Sequence, residues 1–134
     1  MMRQINTLCR RLVLAASLIL GAHSALAQSA AMAGSAVKGK EVYDAQCSAC
    51  HSVGANRIGP MHLGVVGRKA GSAAGYRYSD ALRKSKIVWS HDTLVAWLTE
   101  PGALIAGERM GYSVNSAQDR EDVVAYLATL KVDK

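Results

Sequence analysis

From Ser52 to Tyr78 the chain sustains no regular element. Gly54, Gly59, Gly64, Gly67, Gly71 and Gly75, with Pro60 among them, break every helical or alternating period that begins there. Loops of this extent have to be wrapped on something rigid, and a chain of 134 residues buries only a thin apolar core of its own. Disulfides do not supply the support, because three cysteines cannot make the two or more bridges of a stapled secreted fold. Disorder is excluded too: half of the residues are apolar and 19% are charged. A globular domain completed by some other rigid body is the expectation.

Cys47-Ser48-Ala49-Cys50-His51 is the place where such a body would attach. A zinc site wants four ligands, and the sequence after residue 27 holds two cysteines and three histidines, with no second Cys-x-x-Cys and no closely spaced His pair. A redox dithiol belongs beside a βαβ pattern that is missing here, and a plain disulfide leaves His51 unexplained. Covalent c-type haem accounts for all three residues. Two cysteines three apart on one helical face reach the two vinyl groups of one porphyrin edge, and the next residue carries an imidazole under the ring to bind iron. The spacing of Gly39, Val42, Tyr43, Gln46, Cys47, Cys50 and His51 predicts a helix from Lys38 to His51.

The beginning of the sequence reads as an export leader. Arg3, Arg10 and Arg11 precede an apolar run, Leu12 to Leu20, and Ala25-Leu26-Ala27 marks cleavage after Ala27. Gly21, His23 and Ser24 keep the run short of the ~20 apolar residues that span a bilayer, so a membrane anchor is the weaker reading. Cys9 stands before the run, where it would be discarded with the leader. The adjacent Arg10-Arg11 pair fits a twin-arginine leader or an ordinary basic one. Those three arginines account for half of the formal charge of +6 and raise the sequence pI to about 9.5. The remaining basic residues form no cluster with interleaved aromatics, which excludes a nucleic-acid partner. Gln28 to Ala36, rich in Ser, Ala and Gly, reads as a flexible tail, and residues 37–134 as one domain.

Three further short helices are expected. Ser79 caps one through Arg83; Ser90 or Asp92 caps a second from Thr93 to Glu100, which Pro101 ends; and Ser116 with Asp119 opens a third whose Val123, Tyr126, Leu127 and Leu130 stripe runs to near Lys131. No strand is expected. For the second axial position, Met32, Met61, Met110, His62 and His91 are available. Met110 is favoured because it lies in the segment Gly102 to Asn115, read as irregular, where no helical stripe gives a methionine a packing role. His62 is the main rival, although a short loop after His51 would keep it on the same side as His51.

Over residues 38–131 the sequence resembles the class I cytochromes c. Gly39, Tyr43 and Tyr126 look like that family's close crossing of its first and last helices. Cys47 to His51, Gly59-Pro60, Gly64 to Gly71, Tyr76 to Ala81, Ile87-Val88-Trp89, Leu98 to Pro101, and Gly107-Glu108-Arg109-Met110 follow in the family's order. The resemblance implies an all-α class I cytochrome c fold, three to five short helices and glycine-rich loops around one covalent haem c. It implies thioethers at Cys47 and Cys50, His51 and Met110 as axial iron ligands, and Pro60 accepting from the other nitrogen of His51. It also implies Arg68, Tyr78 and Trp89 on the haem propionates.

The function it implies is that of a periplasmic electron carrier with no enzymatic activity. Such a carrier is monomeric and not inserted in the membrane once its leader is cut. It docks an oxidase, a dehydrogenase or a bc-type complex at an exposed haem edge, helped by Lys38, Arg57, Lys69 and Arg109. Four residues depart from the family. Trp97 replaces a tyrosine that often bonds the methionine sulfur, and Leu82 replaces an asparagine of the same network, which predicts a distal side with fewer hydrogen bonds. Ala106 replaces a proline before the ligand loop, the one hint toward an open iron with peroxidase or gas-binding chemistry; His62 replaces an apolar residue. A dedicated haem subunit of a dehydrogenase is the remaining alternative.

Overall fold

The computed structural model describes residues 33–132. The predicted leader, its Cys9 and the tail up to Met32 lie outside the described residues, as do 133 and 134. Among the described residues five helices follow in order: α1 Ala36–Gln46, α2 Asp80–Lys84, α3 His91–Thr99, α4 Pro101–Leu104 and α5 Ala117–Leu127. Among the described residues the sole β pairing is an isolated antiparallel bridge between Lys69 and Val88. None of these helices is long and apolar enough to cross a membrane.

Ser35 caps α1, its hydroxyl accepting from the Lys38 N–H at 3.5 Å, so the helix begins at Ala36 inside the segment read as a tail. The Ser35 N–H donates to the buried Asp122 carboxylate at 2.7 Å, which ties the start of α1 to α5. The two helices then nearly touch. A Cβ on Gly39 would stand 1.8 Å from the Asp122 carbonyl oxygen, which only glycine avoids. One turn on, Tyr43 and Tyr126 meet edge to face with ring centroids 5.3 Å apart. This is the crossing that the resemblance implied.

Helix α1 stops earlier than predicted. The Tyr43 carbonyl accepts from both Cys47 N–H (2.9 Å) and Ser48 N–H (3.0 Å), which ends the ladder, and the Cys47 carbonyl closes a separate turn by accepting from Cys50 and His51. The cysteine motif therefore sits on a turn beyond α1 rather than on its face.

The glycine-rich segment is fastened by its backbone. Gly59 N–H donates to the Cys50 carbonyl, Leu63 N–H to Val53, and Gly67 and Trp89 N–H to the Trp89 and Arg68 carbonyls respectively. Gly71 shows what the glycines permit: its φ is +72°, and a Cβ there would lie 2.3 Å from the Leu82 carbonyl oxygen. Past it, Ser79 caps α2 and Ser90 caps α3 in a reciprocal box with Thr93. Pro101 does end α3, but as the first residue of α4, so the segment from Gly102 is helical for a turn before it becomes irregular. Ser116 caps α5, which ends at Leu127; turns carry the chain on to Lys131.

Helix α5 packs against α1 and α3, and α3 against α4. Val114, Val123 and Val124 are almost fully buried, and Leu82, Trp89, Leu94, Trp97 and Leu98 continue the same core. That core is not closed, because its inner surface lines a cavity.

Candidate haem-binding site

The cavity has a volume of about 470 Å³, within the range of cofactor pockets. Cys47, Cys50, His51, Pro60, Arg68, Tyr78, Trp89 and Met110, the residues singled out from the sequence, all line it. Most of the remaining lining is apolar, with Val65, Leu82, Leu94 and Leu98 prominent. Trp89 is buried and leans on Trp97 at a ring-centroid distance of 5.3 Å.

No disulfide joins the two cysteines of the motif; Cys47 is half-buried and Cys50 exposed. Burial, followed by the neighbouring Cys50, pushes the Cys47 thiol up to about 11.

His51 is set by its surroundings. Its Nδ1 donates to the Pro60 carbonyl at 2.8 Å, which leaves Nε2 with a free lone pair. Burial lowers its pKa, against the opposing pull of the Pro60 carbonyl, so the ring is a neutral donor for a metal. The backbone of Gly59 passes close, since a Cβ there would lie 2.1 Å from His51 Cε1. His62 is stacked on His51 with centroids 4.2 Å apart and planes 19° from parallel, and its Nδ1 is 3.2 Å from the Tyr43 hydroxyl. It therefore lies beside His51, as the short loop predicted.

Met110 is held by two groups. The Trp97 indole Nε1 donates to its Sδ at 3.1 Å. Its backbone N–H donates to the Glu108 carboxylate, which also accepts from Gly111 N–H at 3.1 and 3.2 Å. The expectation that Trp97 would leave the sulfur side poorer in hydrogen bonds is thus corrected: the indole N–H itself donates to the sulfur. Glu108 escaped notice as part of a motif; a carboxylate two residues before a methionine gives no periodic signal, but it is well placed to receive the next backbone N–H groups.

Arg68 departs in part from its expected role. Its terminal nitrogens donate to the Leu63 carbonyl (3.0 Å) and the Met61 carbonyl (2.8 Å), bracing the loop, while its buried Nε has no partner among the described residues. The Tyr78 hydroxyl accepts from Ala73 N–H at 3.4 Å, and burial raises its pKa. An orphaned buried N–H calls for an acceptor. Paired thiols, a neutral imidazole, a thioether, an apolar cavity and that orphaned donor together fit a haem with its carboxylate groups.

A family model described as cytochrome c matches residues 36–131. The chain belongs to the cytochrome c family. Among relatives of this cytochrome, a cytochrome c2 of Rhodomicrobium vannielii is 42% identical over 115 residues, covering 83% of this chain and 91% of that protein. A cytochrome c2 of Rhodopila globiformis is 43% identical over 101 residues, 73% of this chain and 95% of that one. Among solved structures, cytochrome cH from Methylobacterium extorquens superposes with a TM-score of 0.68 at 40% identity, covering 72% of this chain and 99% of that one. The ferricytochrome c2 from Rhodopseudomonas palustris gives 0.69 at 38% identity, with the same coverage. The fold is accordingly that of the class I cytochromes c, the cofactor is one covalently attached haem c with its iron, and the cytochrome is an electron carrier with redox-protein partners.

Proposed function

We propose that this cytochrome is a periplasmic single-haem carrier that passes one electron at a time between redox proteins, with Cys47 and Cys50 as thioethers and His51 and Met110 as axial ligands. The bound haem supplies a one-electron ferric/ferrous couple. Everything else is the work of the chain. The observation that carries the reading is that His51 and Met110 line one cavity, each already held through a second bond: His51 through Nδ1 to Pro60, Met110 through its sulfur to Trp97. Ligands fixed in this way change little between oxidation states, and a thioether with a buried site raises the potential. Neither needs to leave the metal for an electron to pass.

The Arg68 Nε, Tyr78 and Trp89 are the groups available to the haem carboxylates. Arg57, Arg77 and Arg109 are exposed, the last two on the lining of the cavity, and favour an acidic docking face on the partner. The leader over residues 1–27, cut after Ala27, supports the location, and residues 37–134 form the haem domain. The bonds on Met110 favour a closed site over the open-iron alternative.

The test is the absorption spectrum of the holoprotein. The expected result is a low-spin spectrum with the weak far-red band of sulfur bound to ferric haem, abolished in Met110→Ala. Prompt carbon monoxide binding by the untreated ferrous protein would contradict the carrier reading.

A further inference from the structure

We propose that His62, held by the Tyr43 hydroxyl, is a positioning residue that fixes the plane in which the His51 imidazole stands beneath the haem. This rests on the His51 ligation proposed above. The Nδ1 bond to Pro60 and a bond from Nε2 to iron leave the imidazole at an angle to each other, so a turn about the iron bond carries Nδ1 away from the Pro60 carbonyl. A single hydrogen bond resists that turn only softly. What stiffens the ring further has to touch it on its edges or faces.

Two groups do. The Gly59 backbone presses on the ring at Cε1, where an added Cβ would lie 2.1, 2.5 and 2.6 Å from Cε1, Nδ1 and Nε2, and His62 is stacked on it with centroids 4.2 Å apart and 19° between the planes. A near-parallel stack keeps its contact only while the planes stay aligned, and turning His51 drives its edge toward the His62 ring.

His62 is itself held. Its Nδ1 lies 3.2 Å from the Tyr43 hydroxyl, and Tyr43, 3% exposed, is wedged edge-on against Tyr126 where α1 crosses α5. A line of contacts thus runs from the helix crossing to the imidazole. An aliphatic residue at position 62 would fill the same space, but it would offer no flat face to His51 and would leave the Tyr43 hydroxyl without its partner.

The test uses the ferric holoprotein and the proton NMR shifts of the four haem ring methyls, whose order and spread report the direction of the axial imidazole plane. His62→Leu is expected to lose the wild-type order, and Tyr43→Phe, which removes only the hydroxyl, to shift the methyls in the same sense by a smaller amount. An unchanged pattern in His62→Leu overturns the proposal and makes His62 a space filler. A change there with none in Tyr43→Phe overturns the part given to the hydroxyl. Should His62→Leu fail to fold, Tyr43→Phe decides alone, an unchanged pattern again counting against the proposal. A wild-type protein lacking a low-spin, His-ligated haem would sink the ligation reading before any variant is compared, so the two failures are told apart.

Discussion

The two walls of the cavity are built in opposite ways. On the His51 side nearly everything that holds the imidazole lies within a dozen residues of it in sequence: the Cys47 turn, the Gly59 backbone, the Pro60 carbonyl and the His62 ring. On the Met110 side the groups come from separate elements. Trp97 reaches across from α3, Glu108 folds back from the loop itself, and Arg120 of α5 donates to the Val114 and Asn115 carbonyls where the loop rejoins the helix. One wall is fixed mainly by backbone and neighbours; the other depends on side chains that all have to arrive. Local contacts cost little chain entropy to close, so the His51 wall is the more rigid of the two and the Met110 loop the more readily opened.

The largest effect is expected where the cofactor joins the two walls. Cys47→Ser with Cys50→Ser should leave the chain without a cooperative thermal transition, because the cavity of about 470 Å³ would stand empty in a thin core. A native-like melt without haem would show that the walls support each other alone. Next comes Gly59→Ala, which puts a methyl 2.1 Å from His51 Cε1. A clash inside a packed wall should cost about 1–3 kcal/mol in denaturant unfolding; a neutral outcome would mean that this wall yields more than its geometry suggests.

Trp97→Phe sharpens the comparison from the other side. It keeps an aromatic ring and removes the donor to Met110 Sδ, at a cost of about 1 kcal/mol. Imidazole added to the ferric protein should displace the methionine sooner, read as earlier loss of the far-red band. An unchanged titration would say that the loop does not depend on that bond.

The smallest effect lies outside both walls, at the start of α3. His91 is bracketed by Asp92 (2.8 Å) and Glu121 (2.7 Å), and these hydrogen bonds, Asp92 first, raise its pKa above 6.5. A group whose folded pKa is raised contributes stability that is fully present below its unfolded pKa and lost as the pH rises through the folded value. His91→Gln should therefore be slightly less stable than the parent in mild acid and equal to it in mild alkali, and added salt should shrink the gap, since the imidazole is mostly exposed. A gap that persists in alkali would point to packing instead of charge.

What the sequence disclosed follows the same division. The cysteine motif, Pro60 and the serine caps of α2, α3 and α5 act over a few residues, so their chemistry is written in local spacing. The place of Met110 on the cavity is consistent with a methionine that no helical stripe in its segment explains. The end of α1 was misread because Cys47, Cys50 and His51 continue a helical spacing that the doubly used Tyr43 carbonyl interrupts. The indole bond to Met110 and the Arg68 braces were beyond reach, since a donor meets its acceptor there across separate elements and no periodicity records the meeting.

The close approach of Gly39 to the Asp122 carbonyl bears on the order of assembly. Helix α1 is the first described element to leave the ribosome, and the surface it packs against is the last. Until Ala117–Leu127 has emerged, Tyr43 has no ring to rest on and Ser35 no carboxylate to bond. Until α5 docks, the chain therefore carries its cysteines on an open segment, and the last described helix closes the molecule behind them.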